Sequence, residues 1–560
     1  MASEETFALV IGAGPVGMIA ALDLHWRGVP VVIVNDRTGT STHPKCNHTS
    51  GRSLEYLRRI GVANELRSVP SLNTVQRDVE YMTTFCGFEI GRTPFALPMK
   101  NGDKPVGGLA ALRVTAEPPV MIPQPALEAK LKELLEKAVG DNVRFGWKAT
   151  EIIEESDRVI VPLRHVETGE ERVVSAKYVV ACDGAGSLAR RTIGAVLEGE
   201  SGGGSSGVMS GSMLSYHVES PNLVEVSGRP AAMLTTMITH RFRAISMLQN
   251  DGTRWIFHFQ VPQGKDGAEM DARDVVRTMI GNDDVEFDIL SGGPWAGGLA
   301  LVADRYQSRR IFLAGDAAHL YTPMGGTGMN VGIGDAINVC WKVAAVHDGW
   351  AGNALTGSYE LERRPIGIRN SRFGVDHAKI HAAWILPEDL EEAGPVAAEN
   401  RRAWGEKIMV EDRPMFNAAG VLLGERYEGS PIVAGDNKAA PADDLFHYTP
   451  SDRAGGRLPH YWLADGRALQ DLLGPGYTLL CFENVDTAPL ETAAAAAGMP
   501  LSVIKAPPAP VESGITHPLV LVRPDLYIAW SGPKLPDAEA LVDRVRGAIP
   551  QHAIPTKVAA

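Results

Sequence analysis

Short unbroken apolar runs that stop at glycine, each followed by a helical segment, set the pattern of the N-terminal half of the chain. Phe7 to Ile11 is apolar at every position, which predicts a strand buried on both faces. Gly12-x-Gly14-x-x-Gly17 follows at once, then an apolar helix through Met18 to Leu24, and a second apolar strand, Val31 to Val34, after Gly28. Gly51 to Arg59 has the spacing of an amphipathic helix. Tyr178 to Cys182 is a further strand-like run and ends in Asp183-Gly184. Another buried run, ending at Leu313-Ala314, stops at Gly315-Asp316. A glycine-dense loop follows, Pro323-Met324-Gly325-Gly326-Thr327-Gly328-Met329-Asn330, and then a helix through Ile337 and Lys342.

Between roughly 195 and 300 the period falls to two. Trp255, Phe257, Phe259 and Val261 alternate with Ile256, His258 and Gln260, which predicts an antiparallel sheet with one covered face. Ser201 to Gly207 reads as a glycine/serine loop. After a proline-, glycine- and acid-rich stretch through Asp444, an α/β pattern returns: Thr478 to Phe482, a helix from Glu491 to Ala497, Leu501 to Ile504, and Leu519 to Val522.

The glycines suggest the chemistry. In a strand–turn–helix–strand unit, Gly12 permits the tight turn, Gly14 lets the backbone approach a pyrophosphate and Gly17 lets helix and strand pack. Pro15 and Val16 open the helix, whose free N–H groups and dipole favour phosphate. The ribose-binding acid of such units is expected about 20 residues on. Asn35 holds that place and Asp36 and Arg37 follow, so either Asn35 or Asp36 takes the ribose. The second element, Gly315-Asp316 and its loop, lies far along the chain, as if the chain returned to the other end of one dinucleotide, FAD. Reduced flavin carries negative charge near N1 and its C2 carbonyl, and the N–H groups of Gly328, Met329 and Asn330 at a helix start suit that charge.

Composition narrows the classes. At 560 residues the chain exceeds a single core and implies two or three domains. The net charge is −13, from 54 basic and 67 acidic residues, without a basic cluster, which argues against a nucleic-acid partner. No apolar run approaches the ~20 residues of a membrane helix. Glu4 and Glu5 lead straight into the first strand, so no signal peptide is expected. Cys46, Cys86, Cys182, Cys340 and Cys481 show neither C-x-x-C nor metal-ligand spacing, so a cytoplasmic protein without a metal is expected.

Taken together, Gly12-x-Gly14-x-x-Gly17, Asp183-Gly184 and Gly315-Asp316 resemble the motifs of the single-component FAD-dependent aromatic hydroxylases, the para-hydroxybenzoate hydroxylase and phenol hydroxylase group. The stretch from Ala303-Asp304-Arg305-Tyr306 to Asn338-Val339-Cys340-Trp341-Lys342 carries the likeness most specifically. Arg457-Leu458-Pro459-His460, Asp465-Gly466 and Leu521-Val522-Arg523-Pro524-Asp525 resemble the thioredoxin-like C-terminal domain of the phenol hydroxylase branch. Without C-x-x-C, that tail is expected to serve structure or subunit contact rather than redox chemistry.

The resemblance implies an α/β fold: a Rossmann-like FAD-binding domain (1–75, 106–194 and 300–390) and an inserted antiparallel-sheet substrate domain (76–105 and 195–299). A helical linker (391–440) and a thioredoxin-like domain (441–560) complete it. It places Lys45 near the phosphates where relatives carry arginine, Gln124 at the cofactor, Asp183 and Gly184 in FAD and NAD(P)H handling, Asp316 on a ribityl hydroxyl, and Pro323 beside the reactive edge of the flavin, with Gly326 in the same loop. Thr327 stands where glutamine is frequent. The implied reaction uses NAD(P)H and O2 to hydroxylate a phenolic or activated aromatic through a flavin C4a-hydroperoxide.

The proton acceptor is left open. Asn47 stands where some relatives carry an acid or histidine and can orient a hydroxyl but not take a proton. His48 is next to it, and the unperturbed pKa of an imidazole suits the task. His258 and Arg241, on the expected substrate sheet, are the other candidate catalytic residues, and Tyr81, Phe85, Met233, Met247, Trp255 and Trp295 are candidates for the pocket wall. Alternative readings are a polyketide-like aromatic as substrate, a Baeyer–Villiger insertion, and a flavin-binding scaffold without turnover. A homo-oligomer is compatible with each.

Overall fold

The computed structural model describes residues 3–45, 47–70, 78–94, 114–201, 212–250, 252–262, 264–296, 299–416, 418–435 and 442–550. Cys46, residues 202–207 of the expected loop, and the expected boundaries at 75/76, 105/106 and 440/441 lie outside the described residues.

The apolar runs form the centre of an eight-stranded sheet. Strands Val143–Phe145, Val31–Asn35, Ser3–Ile11 and Glu171–Ala181 lie side by side in parallel, and Ile311–Leu313 pairs in parallel with the far end of Glu171–Ala181. Parallel strands are covered on both faces, which is why these runs do not alternate: Ala8, Leu9 and Val10 are fully buried. The helix Pro15–Trp26 packs against the helices Gln124–Val139 and Gly328–His347.

A second sheet has seven strands, in the order Asp288–Ala296, Ser212–Glu219, Arg254–Gln260, Arg243–Leu248, Leu234–Ile238, Asp78–Met82 and Glu89–Pro94. It departs from expectation twice. Leu234–Ile238 and Asp78–Met82 run parallel, because the segments come from distant parts of the chain rather than from a hairpin. Both faces are also covered, so Trp255, Ile256, Phe257, His258 and Phe259 are all buried. One face, with Trp255, Phe257 and Leu214, packs on Val276 and Met279 of the helix Ala272–Ile280. The other, with Met213, Ile245 and Tyr81, packs on Met324, Phe373 and Ile408. Phe85, Met233 and Trp255 belong to the outer cluster, and Tyr81, Met247 and Trp295 to the inner one.

In the tail, Tyr477–Cys481 and Leu501–Lys505 pair in parallel around the helix Ala488–Ala496, and Leu519–Val522 and Ile528–Gly532 add an antiparallel hairpin before the helix Ala538–Val545. This is a thioredoxin-like arrangement. Cys481 is buried and burial raises its thiol pKa, which keeps it protonated. The tail docks on its own chain: Tyr477, Leu479 and Leu541 share a core with Trp341, Trp350 and Leu355.

Candidate functional site

At the N-terminal turn, Gly12 adopts φ 99°, and a Cβ there would lie 2.2 Å from the Cys182 carbonyl oxygen. A Cβ on Gly17 would lie 1.9 Å from the Gly12 oxygen, whereas one on Gly14 would meet nothing within 4 Å. The first and third glycines are therefore required by the fold itself, and the second faces open space. Gly14 caps the helix and Pro15 takes its first position, where a missing N–H costs nothing. Asn35 Oδ1 accepts from Ala13 N–H at 3.2 Å and its Nδ2 donates to the Arg37 oxygen at 3.4 Å. Asn35 thus fastens the turn, and its buried amide is already committed, while Asp36 and Arg37 are exposed at the strand end.

The far element meets this turn directly. Gly315, at φ 62°, packs beneath Val16, and Gly332 is so close that a Cβ there would lie 2.8 Å from the Gly315 Cα. Asp335 fixes the junction. Its Oδ2 accepts from Gly315 N–H at 3.2 Å and lies 2.8 Å from His319 Nε2, and its Oδ1 accepts from Arg363 Nε at 2.8 Å. Burial raises the Asp335 pKa, but Arg363 and His319 outweigh it and hold the carboxyl below its ordinary value. Asp316 is solvent-accessible, yet crowding by protein raises its pKa against the opposing pull of His319 and Lys45. Its carboxyl is thus exposed to solvent while closely flanked by protein. Asp183 Oδ2 accepts from Ala189 N–H at 3.0 Å, while Oδ1 is buried with no hydrogen-bond partner among the described residues. Gly184 beside it has φ 77°.

In the glycine loop, Pro323 precedes the short turn Met324–Gly326, and Gly325 (φ 77°) and Gly326 (φ 61°) bring the backbone past Phe373 and His48. A Cβ on Gly326 would lie 3.6 Å from His48 Nδ1. The helix Gly328–His347 begins with Val331 N–H donating to the Thr327 oxygen, so the N–H groups of Gly328, Met329 and Asn330 fall in the first turn, outside its ladder. Asn330's side chain is fully committed: Oδ1 accepts from Ser50 N–H and Ser53 Oγ, both at 2.8 Å, and Nδ2 donates to the His48 and Gly326 oxygens. It clamps loop, helix and the His48 strand together, leaving only its backbone to face a cofactor.

The remaining expected residues divide. Asn47 is buried beside His48, and its backbone carbonyl accepts from Ile122 N–H at 2.8 Å. Lys45 is exposed near Asp316. Gln124 donates to Glu128, whose other oxygen accepts from Ser41 N–H, so it braces the loop that carries Lys45. His258 lies on the inner sheet face against Trp295, and burial together with His43 lowers its pKa to about 3, which makes it a weak base. Arg241 sits in an exposed hairpin turn ion-paired to Glu391, away from the other candidates. Sequence reasoning missed Asp335, His319, Arg363 and His43. Asp335 had a signal: it is a lone acid within the apolar stretch Val331 to Val339.

These features fit a flavin dinucleotide. They are an open approach at Gly14, an orphaned Asp183 oxygen, an accessible Asp316 and two helix starts, with Gly12 against Cys182-Asp183 and Val16 against Gly315. Among the described residues, no group of three or more His, Cys, Asp or Glu could hold a metal ion, and no helix is long and apolar enough to cross a membrane.

Residues 5–373 match the family model described as FAD binding domain, and residues 451–549 the one described as aromatic-ring hydroxylase, C-terminal. The 4-methyl-5-nitrocatechol 5-monooxygenase of Burkholderia sp is 30% identical over 590 residues, covering 97% of this chain and 98% of that protein. The 2,4-dichlorophenol 6-monooxygenase of Cupriavidus pinatubonensis is 28% identical, covering 97% and 95%. Among solved structures, the rebeccamycin biosynthetic enzyme RebC with reduced flavin superposes with a TM-score of 0.85 at 32% identity, covering 98% of this chain and all of that one.

Proposed function

The chain belongs to the FAD-dependent aromatic-ring hydroxylases, and we propose that it uses NAD(P)H and O2 to place one oxygen on a phenolic or otherwise activated aromatic ring. The observation that carries this reading is the direct contact of the two distant glycine elements, Val16 on Gly315, beside a loop whose Met324 shares a core with the inner face of the seven-stranded sheet. The flavin, when bound, supplies the redox chemistry that activates oxygen.

The chain's own residues bind, orient and exclude water. Gly14 and the N–H groups at the start of Pro15–Trp26, from Val16 and Gly17, receive the pyrophosphate, with Lys45 as a nearby point charge. Asp36 takes the ribose, because Asn35 is occupied with the turn. The free oxygen of Asp183, beside Gly184, and the carboxyl of Asp316, beside Gly315, accept from cofactor hydroxyls. Pro323 and the backbone of Gly326, Gly328, Met329 and Asn330 line the flavin ring. His48, next to Gly326, takes the phenol proton, and Asn47 orients it. Met213, Ile245 and Trp295 wall the substrate side and keep it dry. In this reading the FAD-binding segments hold the eight-stranded sheet, the substrate segments the seven-stranded sheet and the C-terminal segment the four-stranded sheet, and free Cys86, Cys182, Cys340 and Cys481 support a reducing cytoplasm.

The test is NAD(P)H oxidation by the FAD-loaded protein across a phenolic panel, with hydrogen peroxide and product quantified. Substrate-stimulated oxidation and a product gaining one oxygen are expected. Bound flavin with no stimulation by any aromatic would favour a flavin-binding scaffold instead.

A further inference from the structure

Three histidines outside the cofactor cradle meet at one edge of the inner face of the seven-stranded sheet. His43 arrives from the loop after Val31–Asn35. Its Nδ1 lies 2.9 Å from Ser291 Oγ and its Nε2 3.0 Å from Ser215 Oγ. In the sheet register Ser215 stands opposite His258, and Ser291 opposite His217. Residues opposite one another, or two apart on a strand, share a face, so both serines and both histidines point to the same side. The His43 and His217 rings meet edge to face at 6.5 Å, and His258 lies 4.8 Å from Trp295. Trp295 packs in the same cluster as Met324 of the glycine loop, so this edge is continuous with the proposed substrate wall.

Both ring nitrogens of His43 are engaged, but its neighbours are not saturated. His217 Nε2 and His258 Nδ1 are buried with no hydrogen-bond partner among the described residues, and His258 is only 3% exposed. Buried polar atoms without partners are uncommon and call for a water or a ligand. Burial lowers the pKa of all three imidazoles, helped by Lys45 at His43 and by His43 at the other two, so they are neutral near pH 7. A neutral imidazole nitrogen is a donor or an acceptor according to tautomer. A hydroxyl can answer either, whereas a carboxylate only accepts and an ammonium only donates.

We infer that His43, His217 and His258 form a subsite for a hydroxyl group of the aromatic substrate, whose capture fixes which ring carbon faces the glycine loop. His217 and His258 bond the hydroxyl, and His43, held by Ser215 and Ser291, is a positioning residue that ties the cofactor-domain loop to the sheet. The inference rests on the hydroxylase reading and narrows its substrates to ring-hydroxylated aromatics.

The experiment titrates the FAD-loaded full chain with phenol, catechol and anisole and reads binding from the visible flavin spectrum. Phenol and catechol are expected to bind roughly three- to tenfold more tightly than anisole, the range of one or two hydrogen bonds. His217→Phe should shrink that preference, His217→Asn should restore part of it, and His43→Phe should shrink it as well, each judged on protein that retains its flavin absorbance. Equal binding of phenol and anisole, no spectral response to any probe, or a preference unchanged in both phenylalanine variants would overturn the subsite and leave the cluster to ordered water. The hydroxylase reading fails differently: the phenol preference persists while no aromatic stimulates NAD(P)H oxidation.

Discussion

Arg523 in the tail and Glu362 in the helix Ser358–Ala382 face each other through two hydrogen bonds, of 2.6 and 2.9 Å, with neither side chain exposed to solvent. Glu362 also accepts from Lys342 at 2.7 Å and Asn338 at 2.8 Å, both on the helix whose first turn borders the glycine loop, while Arg523 donates to Asp525. Burial lowers the Lys342 pKa to about 8 despite the pull of Glu362. A second clasp joins the tail to the cofactor domain, where Arg457 donates through Nε to Glu55 at 3.0 Å. Buried ion pairs add little net stability, but they fix one geometry and penalise loss of a partner. The tail therefore helps to set the helix that follows the glycine loop.

Removing one partner exposes that penalty. Arg523→Leu leaves Glu362 and Asp525 under-compensated and should destabilise the protein by about 3–5 kcal/mol. Chemical denaturation followed by flavin release would measure it. A change below about 1 kcal/mol, the scale of an exposed pair, would mean that the clasp is not closed in solution.

Acid should open the second clasp. Burial pushes the Glu55 carboxyl up, but Arg457 and Arg52 overcome this and hold it at about 2, below the ordinary 4.5. The unfolded chain then binds more protons between those values, so stability present above pH 4.5 falls as pH drops toward 2. The contribution is on the order of 3 kcal/mol. A pH series of denaturation midpoints should show this loss in the wild type and much less of it in Glu55→Gln.

Two neighbouring glycines should fail in different ways. Gly17→Ala places a methyl on the Gly12 carbonyl and should lower thermal stability of the apoprotein. Gly14→Ala meets no protein atom, so the apoprotein should melt normally yet retain little FAD. Equal flavin content in Gly14→Ala and wild type would remove the pyrophosphate from that place.

Asp316→Ala should lose FAD while keeping the fold, because its carboxyl is exposed beside the Gly315 turn and is proposed to accept from a cofactor hydroxyl. Asn330→Ala should do both kinds of damage, since four hydrogen bonds, two of them fully buried, vanish together. Flavin absorbance per protein and melting temperature separate the two.

His48→Ala should lower product formation and increase hydrogen peroxide release at a given rate of NAD(P)H oxidation. If coupling is unchanged across pH 6 to 9, a range spanning the ~6.5 of an unperturbed imidazole, another group takes the proton.

What could be read in the sequence was local. The glycine fingerprint, Gly315-Asp316 and the glycine loop each specify their own turn and helix start through short-range sterics. Phe7 to Ile11, Val31 to Val34 and Tyr178 to Cys182 are unbroken apolar runs, so these stretches of the cofactor domain's sheet were readable without knowing their partners. The seven-stranded sheet was readable as alternation, but alternation cannot say what covers each face. Trp255 and Phe85 therefore looked like pocket wall, yet they pack on the helix Ala272–Ile280. Arg241 looked like part of the sheet but stands in its turn.

The sequence by itself determined the elements, the two glycine cradles and the family chemistry, because those depend on neighbours a few residues apart. Only the tertiary structure decided how side chains are spent. Asn35 and Asn330 have every polar group committed or nearly so to holding loops, Asp335 ties Gly315 to Arg363, and His43 reaches Ser215 and Ser291 from another domain. The physical reason is that hydrogen bonding and desolvation are settled by which groups are buried together, and these partners lie from 4 to about 280 residues apart in the chain.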